Sequence, residues 1–216
     1  RKDVIDHSVI PINKYKMKTE RTEKVYLSEE ELTRIENVKT TNGTRLELHR
    51  DMFIFASNVG GLRVSDVLQM KWKHFDGTNI HITIQKTGNQ LSIKVPNKAI
   101  ELIEKYKPKK KNLNAFIFPI LPIDTDLTDP RTLDTAISRA TAYINKNLKF
   151  LATKAEIDKH ISFHTSRHTW ATRALGKGIS IDKVSKIMGH AAIKETQVYA
   201  KIVSSELDKA MDVFND

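Results

Sequence analysis

Two short runs in which apolar residues alternate with others, Ile80-Ile82-Ile84 and Leu91-Ile93-Val95, most constrain the fold of this 216-residue chain. A period of two places one face of each run on a core and the other in water. Lys86-Thr87-Gly88-Asn89, between the runs, has the composition of a turn, so the pair predicts one antiparallel hairpin. Trp72–Phe75, followed by Asp76-Gly77, can add a third strand. The rest is spaced for helices. Ser28-x-x-Glu31 has the form of a capping box and opens a helix to about Val38. Asn42-Gly43 marks a turn, and further helices are expected over about 44–58, from near Ser65, and over 98–106, 132–149, 164–176, 181–188 and 194–202. Residues 112–130 predict an irregular connection. The expected class is mainly α with a small antiparallel β-sheet.

The length suits one or two domains and one sizeable core. There is no run of 18 apolar residues and no signal-peptide pattern, so nothing points to a membrane or to export. The absence of cysteine excludes a disulfide framework and a thiolate zinc site. Charge says more. Lys plus Arg number 36 against 26 Asp plus Glu, a net charge of +10, with an isoelectric point near 9.6. Such an excess suits a polyanionic partner. Residues 1–24 carry seven Lys or Arg, four acids and little apolar periodicity, and are expected to be a linker. Five lysines within 105–111 fit either a solvated surface or a phosphate track.

The densest chemistry lies in the last third: His164-Thr165-Ser166-Arg167-His168, then Gly189-His190, then Tyr199. On a helix His164 and Arg167 share a face. Earlier, Gly60-Gly61-Leu62-Arg63-Val64-Ser65-Asp66 sets an arginine just after a helix break, and Lys86 stands at the hairpin turn. Taken singly, each residue has a plainer explanation. Arg63 can be a simple phosphate contact or an ion pair with Asp66, and Lys86 a solvated turn lysine. His164 and His168 have zinc-ligand spacing but no HExxH pattern or third ligand nearby. His168 reads as a structural histidine, Tyr199 alone as a half-buried helix tyrosine, and Trp170 as core.

Together the segments resemble the tyrosine recombinase (phage-type integrase) family, most closely the integrases of bacterial mobile elements. GGLRVSDVLQMKW is similar to that family's first arginine box, HTSRHTWAT to its second, MGH to its Gly-His box, and TQVYA (Thr196–Ala200) to its nucleophile box. The resemblance spans about residues 25–216, with order and spacing in agreement. Asp66 stands where Glu is commoner, and Ala191 and Ala192 replace small polar residues. The resemblance implies the tyrosine recombinase catalytic-domain fold over 25–216, residues 1–24 being a linker from an N-terminal DNA-binding domain. It implies an active site of Arg63, Lys86, His164, Arg167, His190 and the nucleophile Tyr199, with no cofactor and no metal. The implied partners are double-stranded DNA and three further copies of the chain in a tetramer on DNA, with no membrane, in the cytoplasm at a bacterial nucleoid. A type IB topoisomerase-like enzyme and a non-catalytic DNA-binding protein are the alternatives.

These residue types suit the implied chemistry. A phosphodiester repels nucleophiles, and its transition state gathers charge on the non-bridging oxygens. Two arginines offer planar paired donors that stay charged, and His190 can add another; each such donor is worth on the order of 3–4 kcal/mol. The phenol of Tyr199, with an ordinary pKa of about 10, needs a proton acceptor, for which His164 is the candidate. The leaving 5′-oxygen needs a proton, for which Lys86 is the candidate. A 3′-phosphotyrosine keeps the energy of the broken bond, so rejoining requires no ATP. Beyond Tyr199, Val203, Leu207, Ala210, Met211 and Phe214 form one helical stripe on an acidic segment. That stripe is expected to dock on protein, either its own domain or a neighbouring subunit.

Overall fold

The computed structural model describes residues 24–122 and 124–211. All of the expected linker (1–24) but Lys24, and Phe214 of the tail stripe, lie outside the described residues. The architecture is mainly helical with one two-stranded antiparallel sheet.

Helix α1 (Glu29–Glu36) opens on the expected capping box: Ser28 Oγ accepts from the Glu31 amide, and Glu31 accepts from the Ser28 amide at 2.8 Å. Helix α2 (Arg45–Asn58) is the centre of the molecule. Met52, Phe53, Ile54, Phe55 and Ala56 follow one another and are all buried. A helix apolar on every side must be surrounded, and α2 is covered by α1, α4 (Asn97–Glu104), α5 (Pro130–Lys154) and α6 (Phe163–Gly176). Helix α3 (Val64–Leu68) follows the Gly60-Gly61 break.

The hairpin forms from β1 (Asn79–Thr83) and β2 (Gln90–Lys94), with Ile80 opposite Ile93 and Ile82 opposite Leu91. Among the described residues no third strand joins it. Trp72–His74 is a 3-10 turn, and the next residue, Phe75, bridges to Ile80 of the sheet without forming a strand. Its backbone pairs elsewhere: the Trp72 amide donates to Ala115, Lys73 to Leu113, and Ile117 to Met70. The expected loop of 112–130 therefore supplies a buried stretch, Phe116–Phe118, that closes the core. Helix α5 outruns the expected 132–149 at both ends. Asp129 caps it ahead of Pro130 at its first turn, where a missing amide costs nothing, and Leu151 and Ala152 bury its final turns.

Helix α7 (Ile181–Ile187), a 3-10 turn at Ile193–Glu195 and helix α8 (Gln197–Met211) complete the described residues. Helix α8 runs without a break from the helix expected to about 202 into the helical stripe expected beyond it, as far as Met211. The large core around α2 runs from Leu27 to Phe163. Under α8 lies a second, small cluster of Ala171, Ala174, Val184, Met188 and Tyr199.

Candidate active site

The break between α2 and α3 sets the first arginine. Gly60 and Gly61 both have positive φ, +66° and +58°, a region costly for residues with a Cβ. A Cβ on Gly61 would also lie 3.1 Å from Arg167 Cα and 3.2 Å from its carbonyl oxygen. The chain thereby turns against the backbone of α6 and presents Arg63 at the start of α3. Arg63 is half-buried, and its Nη1 is enclosed with no hydrogen-bond partner among the described residues. An enclosed, unsatisfied cationic donor is costly.

Asp66 does not supply the missing partner. No ion pair joins it to Arg63 among the described residues; its Oδ1 accepts instead from the Gln85 amide at 3.0 Å. The carboxylate thus pins the root of the hairpin turn beside Lys86, and burial raises its pKa. Lys86 is exposed, and its charge reaches both His164 and His190.

Arg167 is buried on α6, where its Nη1 donates to the Gly61 carbonyl at 2.7 Å and its Nη2 to the Met188 carbonyl at 2.8 Å. It ties the end of α2 to the end of α7. Burial, then the neighbouring Arg63, lowers its pKa to about 10, leaving it charged at neutral pH. His190 is held through Nδ1 by the buried Thr196 hydroxyl at 2.7 Å. Burial and Arg167 bring its pKa to about 4, so it is neutral and its Nε2 is left for another partner. His164 sits at the exposed rim, its pKa lowered by desolvation and then by Arg167, Lys24, Arg63 and Lys86.

Tyr199 is 4% exposed. Burial raises its phenol pKa against the pull of Arg167 and Arg63. Its hydroxyl lies 2.9 Å from Nδ1 of His168, a buried residue expected to be merely structural. His164, the expected proton acceptor, stands one ring further out, packed edge-to-face on His168 at 4.5 Å between centroids. The six nominated side chains are therefore drawn into one electrostatic neighbourhood, and His168, Thr196 and Asp66 are the neighbours that sequence reasoning gave no such part. Thr196 stood inside the quoted TQVYA box; nothing in the sequence pointed His168 at a residue 31 positions away.

The positive charge of Arg63, Lys86 and Arg167 beside imidazoles of lowered pKa suits an anion, with a phenol in reach of the two arginines. The sequence profile of the phage integrase family matches residues 26–206. The chain belongs to the phage integrase family. It is 26% identical over 157 residues to tyrosine recombinase XerA of Pyrococcus furiosus, covering 72% of this chain and 51% of that protein. Among solved structures, XerH site-specific recombinase bound to palindromic difH substrate, in a post-cleavage complex, superposes with a TM-score of 0.65 at 19% identity, over 89% of this chain and 54% of that one. The catalytic domain of bacteriophage HP1 integrase gives 0.57 at 20% identity, over 88% of this chain and 95% of that one. The fold is thus that of tyrosine recombinase catalytic domains. The chain spans about half the length of the curated relatives it matches.

Proposed function

We propose that this chain is the catalytic part of a site-specific recombinase that cleaves and rejoins double-stranded DNA through a 3′-phosphotyrosine on Tyr199. The observation that carries this is the enclosed, partnerless Nη1 of Arg63, in electrostatic reach of Arg167 and the Tyr199 phenol. A non-bridging phosphate oxygen satisfies that donor. Arg63, Arg167 and His190 Nε2 hold the phosphate, an imidazole of α6 serves the phenol, and exposed Lys86 protonates the departing 5′-oxygen. Each group is supplied by the chain, so the reaction needs no metal or nucleotide. Membership of the family disfavours the topoisomerase-like and non-catalytic alternatives.

The partners in this proposal are duplex DNA and other copies of the chain, assembled as a tetramer on DNA in the bacterial cytoplasm. Past Tyr199, α8 exposes Leu207 (64%) and Met211 (62%), an apolar edge that the described residues do not cover. A neighbouring copy is its proposed cover, with Tyr26 hydrogen-bonded to Glu206 as the contact that steadies the helix at home.

Covalent capture tests the reaction. A pool of nicked duplexes of random sequence is incubated with the full-length protein, and adducts resistant to denaturation are sequenced. Wild type should enrich one site. Tyr199→Phe should bind the enriched duplex with similar affinity and form no adduct. A persisting adduct in that variant would overturn the assignment of Tyr199.

A further inference from the structure

Resting on Tyr199 as nucleophile, we propose that His168 is the positioning residue of this site: its Nδ1 accepts the hydroxyl hydrogen of Tyr199 and thereby aims the phenol oxygen. His168 and Tyr199 come from α6 and α8, which pack directly on each other. Their side chains meet at 2.9 Å, with ring centroids 5.5 Å apart and planes inclined at 47°. Both are buried, at 7% and 4% exposure, so water does not compete for the bond.

The direction of the bond follows from chemistry. Burial, then the proximity of His164, Lys24 and Arg167, holds the His168 pKa down to about 3. A neutral imidazole has one donor nitrogen and one acceptor nitrogen. The phenol keeps its proton, since burial raises its pKa. It is therefore the donor, Nδ1 is the acceptor, and the ring carries its hydrogen on Nε2. With the O–H vector fixed toward His168, the oxygen lone pairs are directed elsewhere, and only they can attack phosphorus. An unanchored phenol on a helix would sample other rotamers, and a misplacement of about 1 Å can cost on the order of a hundredfold in rate. Among the described residues it is His168, and not His164, whose imidazole is hydrogen-bonded to the Tyr199 hydroxyl.

Two replacements, one keeping an acceptor and one keeping the volume, separate positioning from packing. His168→Asn puts an amide atom where Nδ1 stood and can still accept; His168→Leu has nearly the same volume and cannot. In the full-length protein, single-turnover cleavage of the captured nicked duplex should run about tenfold or more faster in the Asn variant than in the Leu variant. DNA affinity should be equal in both. Equal cleavage rates would overturn the proposal. If the Leu variant does not fold, His168→Phe, which keeps an aromatic ring without an acceptor, takes its place under the same criterion. A second readout requires no DNA. Imidazole ¹⁵N shifts of wild type should report His168 as the Nε2–H tautomer, with an Nδ1 shift that moves in Tyr199→Phe. An Nδ1 shift unmoved by that substitution would also overturn it. Adduct formation by Tyr199→Phe would instead refute the nucleophile, leaving the hydrogen bond to be judged by the shifts alone.

Discussion

The two hydrophobic clusters hold their share of the site in different ways. The large one surrounds α2 and carries the Gly60-Gly61 turn, so Arg63 starts from a backbone that cannot shift without disturbing Phe53, Phe55 and their neighbours. The small one has five buried members, and Tyr199 is one of them. Its helix, α8, emerges from the cluster with Leu207 and Met211 in water. The anion-facing group and the attacking group therefore sit on parts of unequal local stability, and thinly packed elements open more readily than core ones. Arg167 is the fastener between them, reaching Gly61 on one side and Met188 on the other.

The largest expected effect tests the large cluster. Phe53→Ala should remove about 3–5 kcal/mol of stability, lowering the urea midpoint and the protection of amides throughout the molecule. A loss confined to α2 would break the comparison, since the two clusters would then unfold independently.

Arg167→Lys comes next. Lysine keeps the charge but cannot donate to two carbonyls in the fork geometry of a guanidinium. Losing charged hydrogen bonds of this kind costs about 1.5–3 kcal/mol. Hydrogen exchange should quicken in α7 and α8 while α2 stays protected. Uniform quickening would mean that Arg167 belongs to the large cluster alone.

The smallest effect is one of pH. His168 and His190 have folded pKa values near 3 and 4, below the ordinary 6.5. The unfolded chain then binds more protons than the folded one below pH 6.5, so stability is full above that pH and falls as the medium is acidified toward those values. Urea unfolding at pH 7 and pH 4.5 should differ less in His168→Asn than in wild type, by about 1–2 kcal/mol. An equal difference would show that His168 accepts a proton without opening the small cluster.

Local pattern carried much of this molecule. The hairpin was legible because the alternation of Ile80-Ile82-Ile84 and Leu91-Ile93-Val95 is itself the register that β1 and β2 adopt. The capping box of α1 was legible because both partners lie within four residues. The third strand failed for the converse reason. The backbone of residues 70–73 is satisfied by 113–117, some 40 residues on, and nothing in Trp72–Phe75 announces that partner. The earlier start of α5 is written in Asp129-Pro130, a cap and first-turn pair that apolar spacing does not mark. At the site, the boxes around Arg63, Arg167, His190 and Tyr199 were visible as strings. The Asp66 contact with the Gln85 amide and the His168 contact with Tyr199 depend on how separate elements fold over one another, which no string displays.

The close approach of Gly61 to α6 also decides which variants of this chain can persist. At Gly43 an added Cβ meets nothing within 4 Å, so a library randomised there should return asparagine and aspartate beside glycine, the types that tolerate its φ of +74°. At Gly61 the same atom meets main chain, which has no rotamer to escape into. A library randomised at position 61 and selected for recombination should return glycine alone. The residue least free to vary beside the paired arginines is thus one that has no side chain and touches no substrate.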